Sequence, residues 1–244
     1  MPDGVTLRLF RGGQHPCPYL TDRAAASIFL DPNAAMTPAL YGRLLDHGFR
    51  RSGEHVYRPD CPQCAACRAA RLPVDAFRPR RGQRRTWAKA GSGLRIEPKK
   101  AVFQTEHYAL YRRYLAARHA DGPMAEGGPG DYEDFLTSRW CETAFVELRL
   151  DGRLLAVAVT DVVPNGLSAV YTFFEPDDAR LGPGSLAILA QIDLARRWRL
   201  PWLYLGYWIG ACPKMRYKTD YRPVELLIGG EWHRFGAGEA TPAE

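Results

Sequence analysis

The chain has no run of about eighteen apolar residues, which excludes a membrane-spanning helix. Met1–Phe10 lacks the apolar stretch of a secretory leader, which predicts a soluble protein of the cytoplasm with no membrane partner. Internal repeats and low-complexity tracts are missing, which excludes a solenoid or a disordered array. Acidic residues are scarce in one half only. Residues 1–100 hold 8 Asp+Glu against 18 Lys+Arg, and residues 101–244 hold 19 against 15. A basic half joined to a mildly acidic half predicts an anionic partner such as nucleic acid, the alternative being a solvated basic face. Six cysteines in a cytoplasmic chain predict reduced thiols, not a disulfide framework.

What is present is enough for a sizeable core: 244 residues, 46% of them apolar. Pro38 to His47 reads as a helix with Leu40, Leu44 and Leu45 on one face, stopped by Gly48. Residues 77–100 form a basic run with only Glu97 opposing it. From Phe103 a helix is predicted, ended by Asp121-Gly122-Pro123, and a Gly/Pro-rich loop follows. Thr143–Leu150, Leu154–Val163 and Leu167–Phe174 read as three strands joined at Asp151-Gly152 and Asn165-Gly166. Gly184–Trp198 reads as an amphipathic helix, and Trp202–Leu205 and Val224–Ile228 as further strands. This order predicts an α/β (α+β) domain. It resembles the acetyltransferase (GNAT) superfamily, which implies a mixed, largely antiparallel splayed sheet with flanking helices. Arg180–Ser185 stands where that superfamily carries its Gly-rich phosphate-binding turn. The predicted organisation is a Cys-rich N-terminal domain (1–76), a basic linker (77–100), a GNAT-like domain (101–236) and a disordered tail (237–244).

Cys61, Cys64 and Cys67 place three thiols within seven residues, and Cys17, between two prolines, offers a fourth. Soft sulfur ligands at this spacing suit a structural zinc or iron–sulfur cluster; unmetallated structural thiols are the alternative. His15 and His55 are substitute ligands in that reading.

Several segments resemble the arginyl-tRNA–protein transferase family. They are Cys17-Pro18-Tyr19-Leu20, Gly48–Gly53 (GFRRSG), His55–Pro59 leading into the Cys cluster, and Gly82-Gln83-Arg84-Arg85, which has Gly82 where the family element is usually more polar. In the second half they are Tyr108–Tyr114 with Arg118-His119, Ala169–Phe174, Tyr204–Ile209, Lys214–Lys218 and Tyr221-Arg222-Pro223. The resemblance runs from about residue 8 to 235. The chain's length resembles the short bacterial branch. That branch implies leucine transfer from leucyl-tRNA to proteins with N-terminal Asp or Glu, which directs them to N-end-rule degradation. The longer eukaryotic relatives imply arginine as the group transferred.

The implied reaction is aminolysis of an activated ester, which needs no covalent enzyme intermediate and no cofactor. Positioning and oxyanion stabilisation supply much of the rate. The acceptor's carboxylate needs a cation, and Lys214, Arg216, Lys218 and Arg222 form a dense basic cluster; Lys214 and Lys218 share a face if the segment is helical. The tRNA backbone needs Arg and Lys, and Arg81, Arg84, Arg85 and Lys89 offer them. Tyr171, Phe173, Tyr204, Tyr207 and Trp208 are candidates for stacking and apolar walls, although aromatic strand residues are mostly core. Asp161 is the first candidate proton acceptor, with Glu147 and His119 behind it, and Tyr171 is a second catalytic candidate. Two rival functions use fewer of these features: an acyl-CoA-dependent N-acetyltransferase, and a metal-cluster nucleic-acid-binding or redox-sensing protein.

Overall fold

A computed structural model describes residues 6–120 and 126–242. The predicted helix stop at Asp121-Gly122-Pro123 lies outside the described residues. The N-terminal region folds first into short strands, β1 (Leu9–Arg11), β2 (His15–Pro16), β3 (Ala24–Ala25) and β4 (Ser27–Leu30). Helix α1 (Pro38–Asp46) follows, then β5 (Arg50–Ser52) and β6 (His55–Pro59). Thr37 caps α1 by accepting from the Leu40 N–H at 3.1 Å, and Pro38 starts the helix where a missing N–H costs nothing. Strands β1, β4, β6 and β5 form a four-stranded sheet, and β2 pairs with β3.

Next come β7 (Arg68–Pro73), α2 (Arg81–Ala90), β8 (Leu94–Lys100), α3 (Thr105–Arg118), α4 (Pro129–Leu136), β9 (Glu142–Leu150), β10 (Arg153–Val163) and β11 (Gly166–Phe174). The chain ends with α5 (Pro183–Arg197), β12 (Trp202–Trp208), β13 (Val224–Ile228) and β14 (Glu231–Phe235). Eight strands make the main sheet in the order β14-β13-β7-β12-β11-β10-β9-β8. All pairs are antiparallel except β11–β12. The meander β9-β10-β11 is the one read from the two turn signals, and β10 is nearly continuous in burial, as a central strand must be.

Helices α5 and α2 cover one face of the sheet: Leu186, Leu189 and Ile192 pack on Leu155, Ala156 and Ala158 with Ala90 of α2. Helices α3 and α4 cover the other face, over Phe145, Val157, Val159 and Phe173. Helix α1 packs on that same side against Val163 and Tyr204. No helix among the described residues is long and apolar enough to cross a membrane.

Three segments differ from their predicted form. The basic run 77–100 contains a helix and a strand. The Gly/Pro-rich loop contains α4, and the strand read as Trp202–Leu205 extends to Trp208. Strand β7, from the Cys-rich segment, lies between β13 and β12, so residues 1–76 contribute directly to the main sheet. In the C-terminal segment, Arg68 Nη1 donates to the Pro242 carbonyl at 3.4 Å.

Arg71 of β7 fastens this junction. Its guanidinium lies 3.8 Å and 4.1 Å from the ring centroids of Trp202 and Trp232. Its Nη1 meets Asp46 at 2.7 Å and its Nε meets Glu225 at 2.8 Å. Arg71→Ala removes the stacked plane and leaves the nearly buried Glu225 with only Arg234 as partner. The expected result is a loss of about 2–4 kcal/mol in denaturant unfolding, with Arg71→Lys recovering only part of it.

Candidate active site

The site begins with a gap in the main sheet. Strands β11 and β12 pair in parallel only from Gly166–Ser168 to Trp202–Tyr204. Beyond that point Ala169–Phe174 and Leu205–Trp208 have no ladder between them. A register shift between Tyr204 and Gly206 bends β12, and another between Val159 and Thr160 of β10 leaves Val170 as an extra residue on β11. Gly206 has φ of +82°, and a Cβ there would meet the Arg50 guanidinium at 3.4 Å. Glycine therefore serves both the backbone turn and the close approach of Arg50.

Arg50 and Arg51 are adjacent on β5, so their side chains leave opposite faces of the strand. Arg51 is fully engaged. Its Nε and Nη2 each reach Asp161 at 2.6 Å, and it also donates to the carbonyls of Leu136, Thr137 and Gly53 and to Thr143. Both side chains of the pair are 0% exposed. Burial works against the Arg51 charge, but Asp161 more than compensates and raises its pKa.

Arg50 points into the wedge and is not so satisfied. Its Nη2 donates to the Ala169 carbonyl, at the point where β11 leaves β12, while its Nη1 is buried with no partner. Its charge acts on Tyr57, Tyr207, Tyr217 and Lys218 around it. Lys218 lies in a 3-10 turn, Arg216–Asp220, and is 5% exposed. Among the described residues its Nζ meets soft groups: Met215 Sδ at 3.1 Å and the Tyr217 ring centroid at 4.9 Å. Burial first, and then the Arg50 charge, pull the Lys218 pKa down to about 7. Among the described residues no carboxylate pairs with either cation. A buried guanidinium beside a buried lysine amine, with no carboxylate between them among the described residues, is a setting an anion would suit.

The C-terminal end of α3 stands across the wedge. Tyr114 packs against Tyr171 and Phe174, and His119 follows at the helix end. The His119 pKa is lowered by partial burial, then by Lys214 and Arg118. The Tyr171 hydroxyl is buried without a partner, and burial raises its pKa, so it stays protonated and is a donor. Tyr207 donates to the Gly48 carbonyl at 2.8 Å. Beside the turn a cleft of about 530 Å³ is lined by Trp208, Arg216, Tyr217 and Asp220, among others. Helix α2 reaches this turn: Arg80 pairs with Asp220, and Gln83 donates to its carbonyl. Arg81, Arg84, Arg85 and Lys89 are all exposed on α2, together with Trp87.

The basic cluster at 214–222 does not act as one face. Lys214 and Arg216 are exposed and Lys218 is buried, because the segment is a short 3-10 turn and not an α-helix. Arg222 donates to the Thr219 and Gly236 carbonyls and so braces the loop. Asp161 is not free to act as the proton acceptor, since it is fully buried and Arg51 and Thr143 occupy its oxygens. Glu147 is likewise held by His107 and Arg149. Tyr204 is core, its hydroxyl bound to Asp46 and Asn165, and Phe173 is also core. Trp208 is buried with its Nε1 unpartnered.

Cys64 Sγ accepts from Arg23 at 3.2 Å, Cys61 Sγ lies against the Ala26 backbone, and Cys64 and Cys67 pack on the apolar Ala66–Ile209–Cys212 cluster. Among the described residues no three His, Cys, Asp or Glu side chains converge on a metal-sized point, and His15 and His55 join no such group. Arg50 is the buried candidate residue that the sequence reading missed. The only signal for it was its place in the GFRRSG segment, which does not separate it from Arg51.

Residues 15–85 match the family described as arginine-tRNA-protein transferase, N terminus, and residues 106–228 match its C terminus. The aspartate/glutamate leucyltransferase of Hahella chejuensis is 49% identical over 227 residues, covering 93% of this chain and 97% of that protein. The protein of the same name from Stenotrophomonas maltophilia strain K279a is 50% identical over 235 residues, covering 94% and 93%. Among solved structures, that of L-PGS from Bacillus licheniformis aligns at a TM-score of 0.47 and 13% identity, over 59% of this chain and 47% of that one. Matched in both halves and at about half identity over nearly its whole length, the chain belongs to the arginine-tRNA–protein transferase family, alongside its aspartate/glutamate leucyltransferases.

Proposed function

We propose that this aminoacyltransferase moves leucine from leucyl-tRNA to the α-amino group of proteins that begin with aspartate or glutamate, and that Arg50 and Lys218 receive the acidic side chain. The observation that carries the reading is the pair of buried cations without carboxylates. An N-terminal Asp or Glu supplies the missing charge, and a neutral first residue does not. The opened sheet with an aromatic wall is GNAT-like, and the wedge between β11 and β12 takes the reacting groups.

The acceptor amine attacks the leucyl ester carbon, a tetrahedral oxyanion forms, and the 3′-oxygen of the terminal adenosine leaves. Tyr171 supplies a protonated, unpartnered O–H to the developing oxyanion. Tyr114, Phe174 and Tyr171 give the leucyl side chain and the terminal adenine apolar and stacking surfaces. The chemistry requires no cofactor. The product's new N-terminal leucine marks it for N-end-rule degradation in the cytoplasm.

Helix α2 carries the tRNA backbone to the cleft. Changing Arg81, Arg84, Arg85 and Lys89 together to alanine removes exposed cations and little packing. The expected outcome is weaker leucyl-tRNA binding by about 10²-fold at low salt, with a salt slope lower by about 2–4, and an unchanged melting temperature. Unaltered salt dependence of binding would place the tRNA elsewhere. The donor itself is tested with labelled leucyl- and arginyl-tRNA on an Asp-peptide. The proposal expects label from leucyl-tRNA; label from arginyl-tRNA alone overturns it.

A further inference from the structure

We propose that Lys218 is the group that takes the proton from the acceptor's α-ammonium, and that the acceptor's own carboxylate, seated between Lys218 and Arg50, is what makes Lys218 basic enough to do so. The inference rests on the acceptor-pocket reading above and goes beyond it, since it turns a specificity contact into a chemical step.

The surroundings of Lys218 support this. The groups facing it are Arg50 from β5, Cys212 from the loop after β12, and Met215 and Tyr217 from its own turn. None is a carboxylate. The formal charge acting on it is the repelling Arg50 guanidinium, whose Nη1 is itself buried without a partner. With Lys218 at about 7, much of the enzyme at neutral pH carries the free amine before an acceptor binds. Meanwhile a peptide's N-terminal amine, with a pKa near 8, arrives mostly as the ammonium and is not nucleophilic.

An entering Asp or Glu side chain places a negative charge against both cations. That charge offsets the Arg50 repulsion and moves Lys218 back toward its ordinary range. The proton passes from the acceptor ammonium to Lys218 Nζ. The freed amine attacks the ester carbon, its second proton goes to the departing 3′-oxygen, and the amide and the free 3′-hydroxyl result. Lys218 then gives its proton to solvent as the product leaves. A peptide beginning with alanine brings no anion, so Lys218 stays a poor base. Selectivity is therefore expected in kcat as well as in KM.

The first test uses the unaltered enzyme and a succinyl peptide, which has the aspartate side chain but hydrogen in place of the α-amino group. Titration calorimetry at pH 8, in two buffers of different ionisation enthalpy, should show uptake of about one proton per peptide bound. Binding without proton uptake overturns the inference and leaves the acceptor pocket standing. Failure of the succinyl peptide to compete with an Asp-peptide overturns the pocket and the inference together.

The second test uses Lys218→Arg, which keeps a cation and its donors but does not exchange a proton near neutral pH. It should bind the succinyl peptide within about tenfold of the unaltered enzyme and take up no proton. Its transfer at pH 7 should fall by about 10²-fold and climb with pH until the substrate amine deprotonates near 8. Transfer by Lys218→Arg at the unaltered rate and pH profile overturns the proposal.

Discussion

Asp161→Ala is expected to lower the unfolding free energy by about 3–5 kcal/mol, a large part of the stability of a domain this size. The reason is the state of Arg51. Its guanidinium is wholly buried and, among the described residues, Asp161 is the carboxylate that balances its charge, with carbonyls and Thr143 taking the remaining donors. Removing the carboxylate leaves a buried cation with no counter-ion, and three segments lose their common anchor: β5, the end of α4, and β10. Asp161→Asn keeps an acceptor oxygen but not the charge and should recover only part of the loss. Replacing both partners by apolar residues of similar volume should cost less than either single change, because no charge is stranded. Urea unfolding followed by circular dichroism measures all four proteins. A folded Asp161→Ala with an unchanged midpoint and no transferase activity would restore a chemical role to Asp161 and refute the structural one.

Arg50→Met has the opposite signature. Among the described residues Arg50 has no carboxylate partner, so its removal strands no charge. One hydrogen bond to Ala169 is lost, and stability should stay within about 1 kcal/mol. Transfer to Asp-peptides should fall by about 10²–10³-fold, the effect of truncating one partner of a desolvated charge pair. Leucyl-tRNA binding should not change, because Arg50 is buried whereas the α2 cations are exposed. Steady-state transfer beside filter binding of the labelled tRNA separates the two effects. If Arg50→Met weakens tRNA binding and acceptor transfer equally, the wedge holds the donor and not the acidic residue.

The neighbouring arginines show where sequence reading stops. The GFRRSG segment marks both positions, yet only the strand's alternation and the path of β10 decide that one guanidinium meets Asp161 and the other, on the Ala169 carbonyl, meets no carboxylate. Asp161 stands near the Asn165-Gly166 turn, where a carboxylate is ordinarily accessible. Its burial depends on a partner 110 positions earlier, which no local pattern shows. The meander was legible because Asp151-Gly152 and Asn165-Gly166 set its hairpins and β10 is apolar throughout. Helix α5 was legible from its periodicity.

The basic run concealed α2 and β8 for different reasons. Gly82, Gly91 and Gly93 suggested a broken segment, although Gly91 and Gly93 lie after the last turn of the helix. Strand β8 carries Lys99, Lys100 and Pro98 because it is the sheet's edge, where charge and proline discourage further pairing. Strand β7 was missed because a six-residue strand after a Cys-rich turn gives no sign that it will insert between β12 and β13.

The most direct measurement of the acceptor pocket is transfer of labelled leucine from leucyl-tRNA to three peptides that differ only in their first residue. With Asp or Glu first, Arg50 and Lys218 gain their anion, and transfer should exceed that to the Ala peptide by 10²-fold or more, on the order expected for a filled against an empty charged site. Equal rates for Asp and Ala peptides would mean that the buried cations do not select the substrate.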